Sequence, residues 1–231
     1  MSVVAASLSA VALLAAALRR PKDDRTNPCY QYNFTERICA SGVRHPGNAY
    51  SSAIYTALGA MLLWDGSSER PWCCAVEGAT LLWFSWLSYH YHATELEWVG
   101  ALDITMVIHL CVSCLVQCLG FGDLACVALA WAATGGLLAN VWSHRAEPER
   151  SVPVRCMVPL LAPLVLALLH LQAAAGDWAR FGAFGAGFAV KLLDRRLAPS
   201  RRCGVVNGTS AFHLLTGLAM YVHYRRVLLT P

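Results

Sequence analysis

Long apolar runs almost free of charge are what most limit the fold of this 231-residue chain. Seven of them lie at roughly residues 48–64, 73–93, 99–119, 123–142, 156–173, 177–194 and 207–224. A run of about 20 apolar residues matches the hydrocarbon thickness of a lipid bilayer. In that medium every backbone N–H and C=O must be satisfied within the segment, so each run is expected to be an α-helix. Only 14% of the residues are charged, against about 25% in a soluble domain. Connections such as "DGSSERPW", "GFGD" and "AAAGD" are short, so consecutive helices run antiparallel. The expected fold is all-α: a polytopic membrane protein, a seven-transmembrane-helix bundle over residues 48–226, with an extra N-terminal hydrophobic segment and a short tail at 227–231.

That extra segment, residues 1–18, is short for a span. Ala15-Ala16-Ala17 before Arg19-Arg20 offers small residues for signal-peptide cleavage, yet no basic residue precedes the apolar run, as one would in a signal. It is a signal peptide or an extra helix. Residues 19–47 form an extramembrane segment with a glycosylation sequon at Asn33-Phe34-Thr35. The sequon puts this segment outside the cytosol. Lys and Arg crowd residues 19–45, 143–155 and 195–202 on the same side, the reverse of the positive-inside rule, while Arg225-Arg226 favours a lumenal amino terminus. The lumenal reading is preferred. A net charge of +4 with no basic-aromatic stripe excludes nucleic acid as a partner.

Polar residues crowd one place, "FSWLSYHYHATELEWVGALD" at 84–103. Ser88 and His92 are spaced i, i+4 and share a helix face, while His90 projects from another. Asp103 follows a short connection and returns to the depth of His92. His213 stands near the start of the last run. Ionisable groups inside a bilayer are costly, so they face a cavity or one another. Such a cluster suits a metal-activated water, with imidazole holding zinc and a carboxylate taking the proton. Without a motif such as HExxH, interfacial side chains are the plainer reading. His109 and His170 lie mid-helix and carry no assigned role; His223, close to Arg225, reads as interfacial. Cys111, Cys114 and Cys118 read as small apolar fillers. Trp and Tyr near helix ends read as an aromatic belt.

Ser88-x-x-x-His92, then Asp103, then His213-x-Leu215-Thr216-Gly217-Leu218, resembles the alkaline ceramidase family of seven-helix membrane hydrolases, and "RHPGNAYSS" at 44–52 resembles the opening of that family's first helix. The resemblance covers about residues 36–226. It implies an intramembrane zinc amidase that cleaves ceramide or a related sphingolipid into a fatty acid and a sphingoid base. By position it implies His92 and His213 as metal ligands, Asp103 as the group that activates the metal-bound water, and Ser88 as its polar helper. It also implies a disulfide between Cys39 and Cys203, and a place in the membrane of the endoplasmic reticulum or Golgi with the site facing the lumen.

One residue departs from the pattern. Four positions before His213, where the family has its third zinc imidazole, stands Thr209. A hydroxyl is a poor zinc ligand, and His45 or His90 is the candidate replacement. The acidic calcium-binding loop of the family is not evident in "NPCYQYNFTERICASG", so calcium is not expected. Three functions follow: a zinc-dependent ceramide amidase, a catalytically impaired lipid-binding or receptor-like relative, and a hydrolase of another lipid ester of the glycolipid-anchor remodelling type.

Overall fold

A computed structural model describes residues 43–66, 69–94, 96–144, 152–197 and 207–229. The N-terminal segment, the sequon at Asn33 and the cysteine pair Cys39 and Cys203 lie outside the described residues. What is described is all-α. Helix α1 has two stretches, Pro46–Ser51 and Ala53–Asp65, joined at Ser52, which keeps right-handed helical angles. The others are α2 (Pro71–Thr94), α3 (Glu97–Cys118), α4 (Asp123–His144), α5 (Val152–Ala174), α6 (Trp178–Leu197) and α7 (Gly208–Val227). Each begins within about four residues of its apolar run.

Local chemistry sets several of these ends. Pro46 occupies the first turn of α1, where its missing N–H costs nothing. The Asp123 carboxylate, at the start of α4, accepts from the Trp72 and Cys73 amides at 2.9 and 2.8 Å and so caps the start of α2. Asn207 begins α7 with a capping box: its Oδ1 accepts from the Thr209 and Ser210 amides, and Ser210 Oγ accepts from the Asn207 amide.

Helix α1 packs between α2 and α7, α7 lies along α6, and α3 touches α2, α4, α5 and α7. Tyr55, Leu62, Leu81, Leu87, Ile108 and Tyr224 are among the fully buried side chains where these helices meet. Two glycines permit the closest approaches around the polar cluster. A Cβ on Gly100 of α3 would stand 2.4 Å from the Tyr91 ring of α2, and one on Gly217 of α7 would stand 2.5 Å from Ile54 of α1.

Helices α2 to α7 have 20 to 24 residues, about 30–36 Å at 1.5 Å per residue. Among the described residues, however, no helix is long and apolar enough to cross a membrane. Helix α2 alone contains Glu77, Ser85, Ser88, His90 and His92.

Candidate functional site

Three pieces of chain far apart in sequence bring their polar residues to one buried place. The link between α2 and α1 is made by the backbone: the Arg44 and His45 amides donate to the Ala93 and His92 carbonyls at 3.2 and 3.1 Å. His45 is thereby buried, and its side chain acts electrostatically on His92. From α7, His213 brings its ring centroid to 5.3 Å from that of His92. The edge of the Tyr55 ring holds His213 from the other side, at 5.8 Å.

Hydrogen bonds set the orientation of His213. Its Nδ1 lies 2.8 Å from Ser51 Oγ, and Ser51 gives its single proton to the Asn48 carbonyl at 2.9 Å. Below it, Tyr55 Oη and Thr216 Oγ1 stand 2.8 Å apart, and Thr216 donates to the Phe212 carbonyl.

A hydroxyl chain supports the carboxylate. Ser52 Oγ donates to Ser88 Oγ at 3.0 Å, and the Ser88 hydroxyl lies beside Asp103. Asp103 is only 8% exposed, and its Oδ1 has no hydrogen-bond partner among the described residues. A buried carboxylate oxygen left without a donor calls for a polar ligand or a water. His90 stands apart from this group: it is half-buried and stacks on Trp86, with ring centroids 4.3 Å apart, on another face of α2.

Lys191 of α6 completes the cluster. Its Nζ donates to Thr209 Oγ1, one turn before His213 on the same face of α7. The ammonium acts electrostatically on His92, His213 and Asp103. Nothing in the spacing of the sequence draws Lys191 to this cluster, beyond its being one of two cations, with Arg180, in the apolar run 177–194.

These residues do not fit a zinc ion held by three imidazoles. A hydroxyl already accepting from an ammonium is a still poorer ligand, His45 beside His92 does not complete a three-donor group among the described residues, and a fixed cation beside these imidazoles opposes a dication. Among the described residues, no group of three His, Cys, Asp or Glu is placed to hold a metal ion. Cys111 and Cys114 are buried free thiols and Cys118 is a half-buried one.

Beside the cluster lies a small apolar cavity of about 30 Å³, lined by residues that include Tyr55, Phe84, Leu110, Phe188, Phe212 and Met220. Tyr55 belongs both to this cavity and to the shell of His213.

A second buried polar group lies elsewhere. Ser113 donates to Glu77, Gln117 donates to Ser113 at 3.0 Å, and Gln117 Oε1 meets His223 Nε2 at 2.8 Å. His223 Nδ1 in turn meets Arg180, which pairs with Asp177. The expectation of an interfacial His223 is corrected here: its side chain is fully buried. His109 is likewise buried, bonded to Thr134 and stacked on Trp131. None of the protein-family models, curated proteins or solved structures compared with this chain matches it.

Proposed function

We propose that this chain is a membrane-embedded hydrolase that cleaves the amide bond of a ceramide-like lipid, with Asp103 as the group that activates water. The unpartnered, buried Asp103 Oδ1 beside two imidazoles carries the reading. Ser88 holds the carboxylate in place, Oδ1 accepts a proton from water, and the water oxygen attacks the carbonyl carbon. The C–N bond then breaks. The departing amine takes up a proton, which the imidazoles of His92 and His213 are placed to pass, and a carboxylate is left. One fatty acid and one sphingoid amine result from one amide and one water. No step runs through zinc, because the donor set does not suit it.

The apolar side chains around Tyr55, among them Phe84, Phe188, Phe212 and Met220, suit a substrate with an acyl chain. A bilayer setting is favoured by where polarity falls. His92, Asp103, Glu77 and His223 are buried, while Trp64, Leu124, Leu166 and Leu218 are exposed. Such a pattern is costly in water and natural in lipid. It also accounts for the modest apolarity of single helices: their polar residues face one another, and the outer surface keeps its apolar side chains. The reading puts the protein in an endomembrane, with the site towards the lumen.

The experiment is hydrolysis of a ceramide panel by the full chain purified in detergent, beside Asp103→Asn. The variant is expected to lose about 10²–10⁴-fold in rate, and equal rates for the two proteins would remove the assignment. A second reading has its own observation. The pairing of Thr209 with Lys191, where the resemblance implies an imidazole, suits a relative that binds such a lipid without cleaving it. Saturable ceramide binding with no fatty acid released would favour that reading.

A further inference from the structure

We propose that the Lys191 ammonium, seated on the Thr209 hydroxyl, supplies the positive charge that polarises the substrate carbonyl, so that the site works without a resident metal ion. The inference rests on the hydrolase reading and says which group stabilises its charged intermediate. Four observations converge on it. The Lys191 Nζ donates to Thr209 Oγ1. Thr209 stands one helical turn from His213 on one face of α7. The charge of Lys191 reaches His92, His213 and Asp103 together. Finally, none of the His, Cys, Asp and Glu groups among the described residues is arranged as a three-donor metal site.

A cation in a buried cluster of the His45, His92 and His213 imidazoles and one carboxylate has two uses. It balances the carboxylate while no substrate is present, and it attracts any oxygen that gains negative charge. When water adds to an amide carbonyl, the C=O electron pair moves onto oxygen. An ammonium within hydrogen-bond distance of that oxygen stabilises it as an oxyanion hole does. Collapse of the tetrahedral intermediate returns the pair to the C=O bond and expels the amine, which leaves with a proton. Lys191 keeps its own proton throughout. It therefore acts as an electrophile, and Asp103 remains the base. Thr209 is the positioning residue: its oxygen accepts an ammonium proton and so fixes where the positive charge sits.

The same pair explains why a metal is unfavoured. A dication between His92 and His213 would stand beside a fixed positive charge, in a setting where charges are weakly screened. Removing Lys191 and restoring an imidazole at position 209 should reverse this preference.

The test uses the full-length chain purified in detergent, together with Lys191→Met, Lys191→Arg, Thr209→His and the double variant Lys191→Met/Thr209→His. Each is checked for monodispersity and helical content. Zinc is measured after equilibration with zinc chloride and removal of the excess, and ceramide hydrolysis is measured with and without 1,10-phenanthroline. The unaltered protein is expected to stay essentially zinc-free and to keep its rate with the chelator present. Lys191→Met should lower kcat about 10²–10³-fold with KM little changed, and Lys191→Arg should recover part of the loss. The double variant should take up about one zinc per chain. Stoichiometric zinc in the unaltered protein overturns the inference, as does a Lys191→Met variant with undiminished kcat. If the unaltered protein releases no fatty acid at all, the hydrolase reading falls, and zinc content still decides whether Lys191 and Thr209 keep metal out. A double variant that remains zinc-free overturns that too.

Discussion

Asp103 reaches Ser88 because Gly100, one turn earlier, has no side chain. A Cβ there would press into the Tyr91 ring at 2.4 Å, and Tyr91 is itself buried, so α3 would have to retreat from α2. Gly100→Ala is expected to cost about 1–3 kcal/mol through overpacking and to draw Asp103 away from its hydroxyl. A thermal melt in detergent checks it, and a melting temperature equal to that of the unaltered protein would show that α3 yields without loss. Much of this cluster was legible in the sequence, because the spacing of Ser88, His92 and Asp103 across a short connection already implies one shared depth. Ser51, Lys191 and Tyr55 were not legible. Their roles depend on which helices lie side by side, and spacing along one chain carries no information about that. His223 illustrates the same gap: its neighbour Arg225 suggests a boundary, while its actual partners Gln117 and Arg180 lie 106 and 43 positions away.

At the scale of elements, Asp177 does the work of a joint. It stands just before α6, accepts from the Arg180 amide at 3.1 Å, and pairs with both Arg180 and Arg226. It thus caps α6 and ties it to the end of α7. Burial pushes its carboxyl up, but the Arg180 amide and guanidinium and the Arg226 charge outweigh this and hold it below the usual carboxylate range. A group whose folded value is depressed stabilises the fold above its unfolded value of about 4, and that stability is lost as pH falls through the folded value. Asp177→Asn is therefore expected to lower stability at neutral pH by about 2–4 kcal/mol, since it leaves Arg180 buried without its counter-charge. Below about pH 3 the gap between the two proteins should narrow. Melting curves from pH 7 to 3 measure both, and a constant gap across that range would assign the loss to the cap alone. The apolar runs forecast all seven helices within a few residues of their ends, because the requirement for internal backbone hydrogen bonds leaves an apolar run little choice. They did not forecast that Asp123 would cap α2 from the start of α4, a pairing 50 positions apart.

Across the described residues, buried polar groups sit beside an apolar core, and large apolar side chains also lie on the outer surface. Carboxylates, imidazoles and an arginine lie between helices, and Trp64, Trp178, Leu124 and Leu166 face outwards. Fractionation of cells expressing the full chain should leave it in the membrane pellet after an alkaline carbonate wash, and its release into the supernatant would remove the bilayer setting. The two backbone hydrogen bonds from Arg44 and His45 to Ala93 and His92 have a mechanical meaning in this arrangement. They weld the entrance of the first helix to the exit of the second, as a splice joins two ropes. The rings of residues 45 and 92 are carried on that one rigid knot, so a shift of either helix end displaces both together.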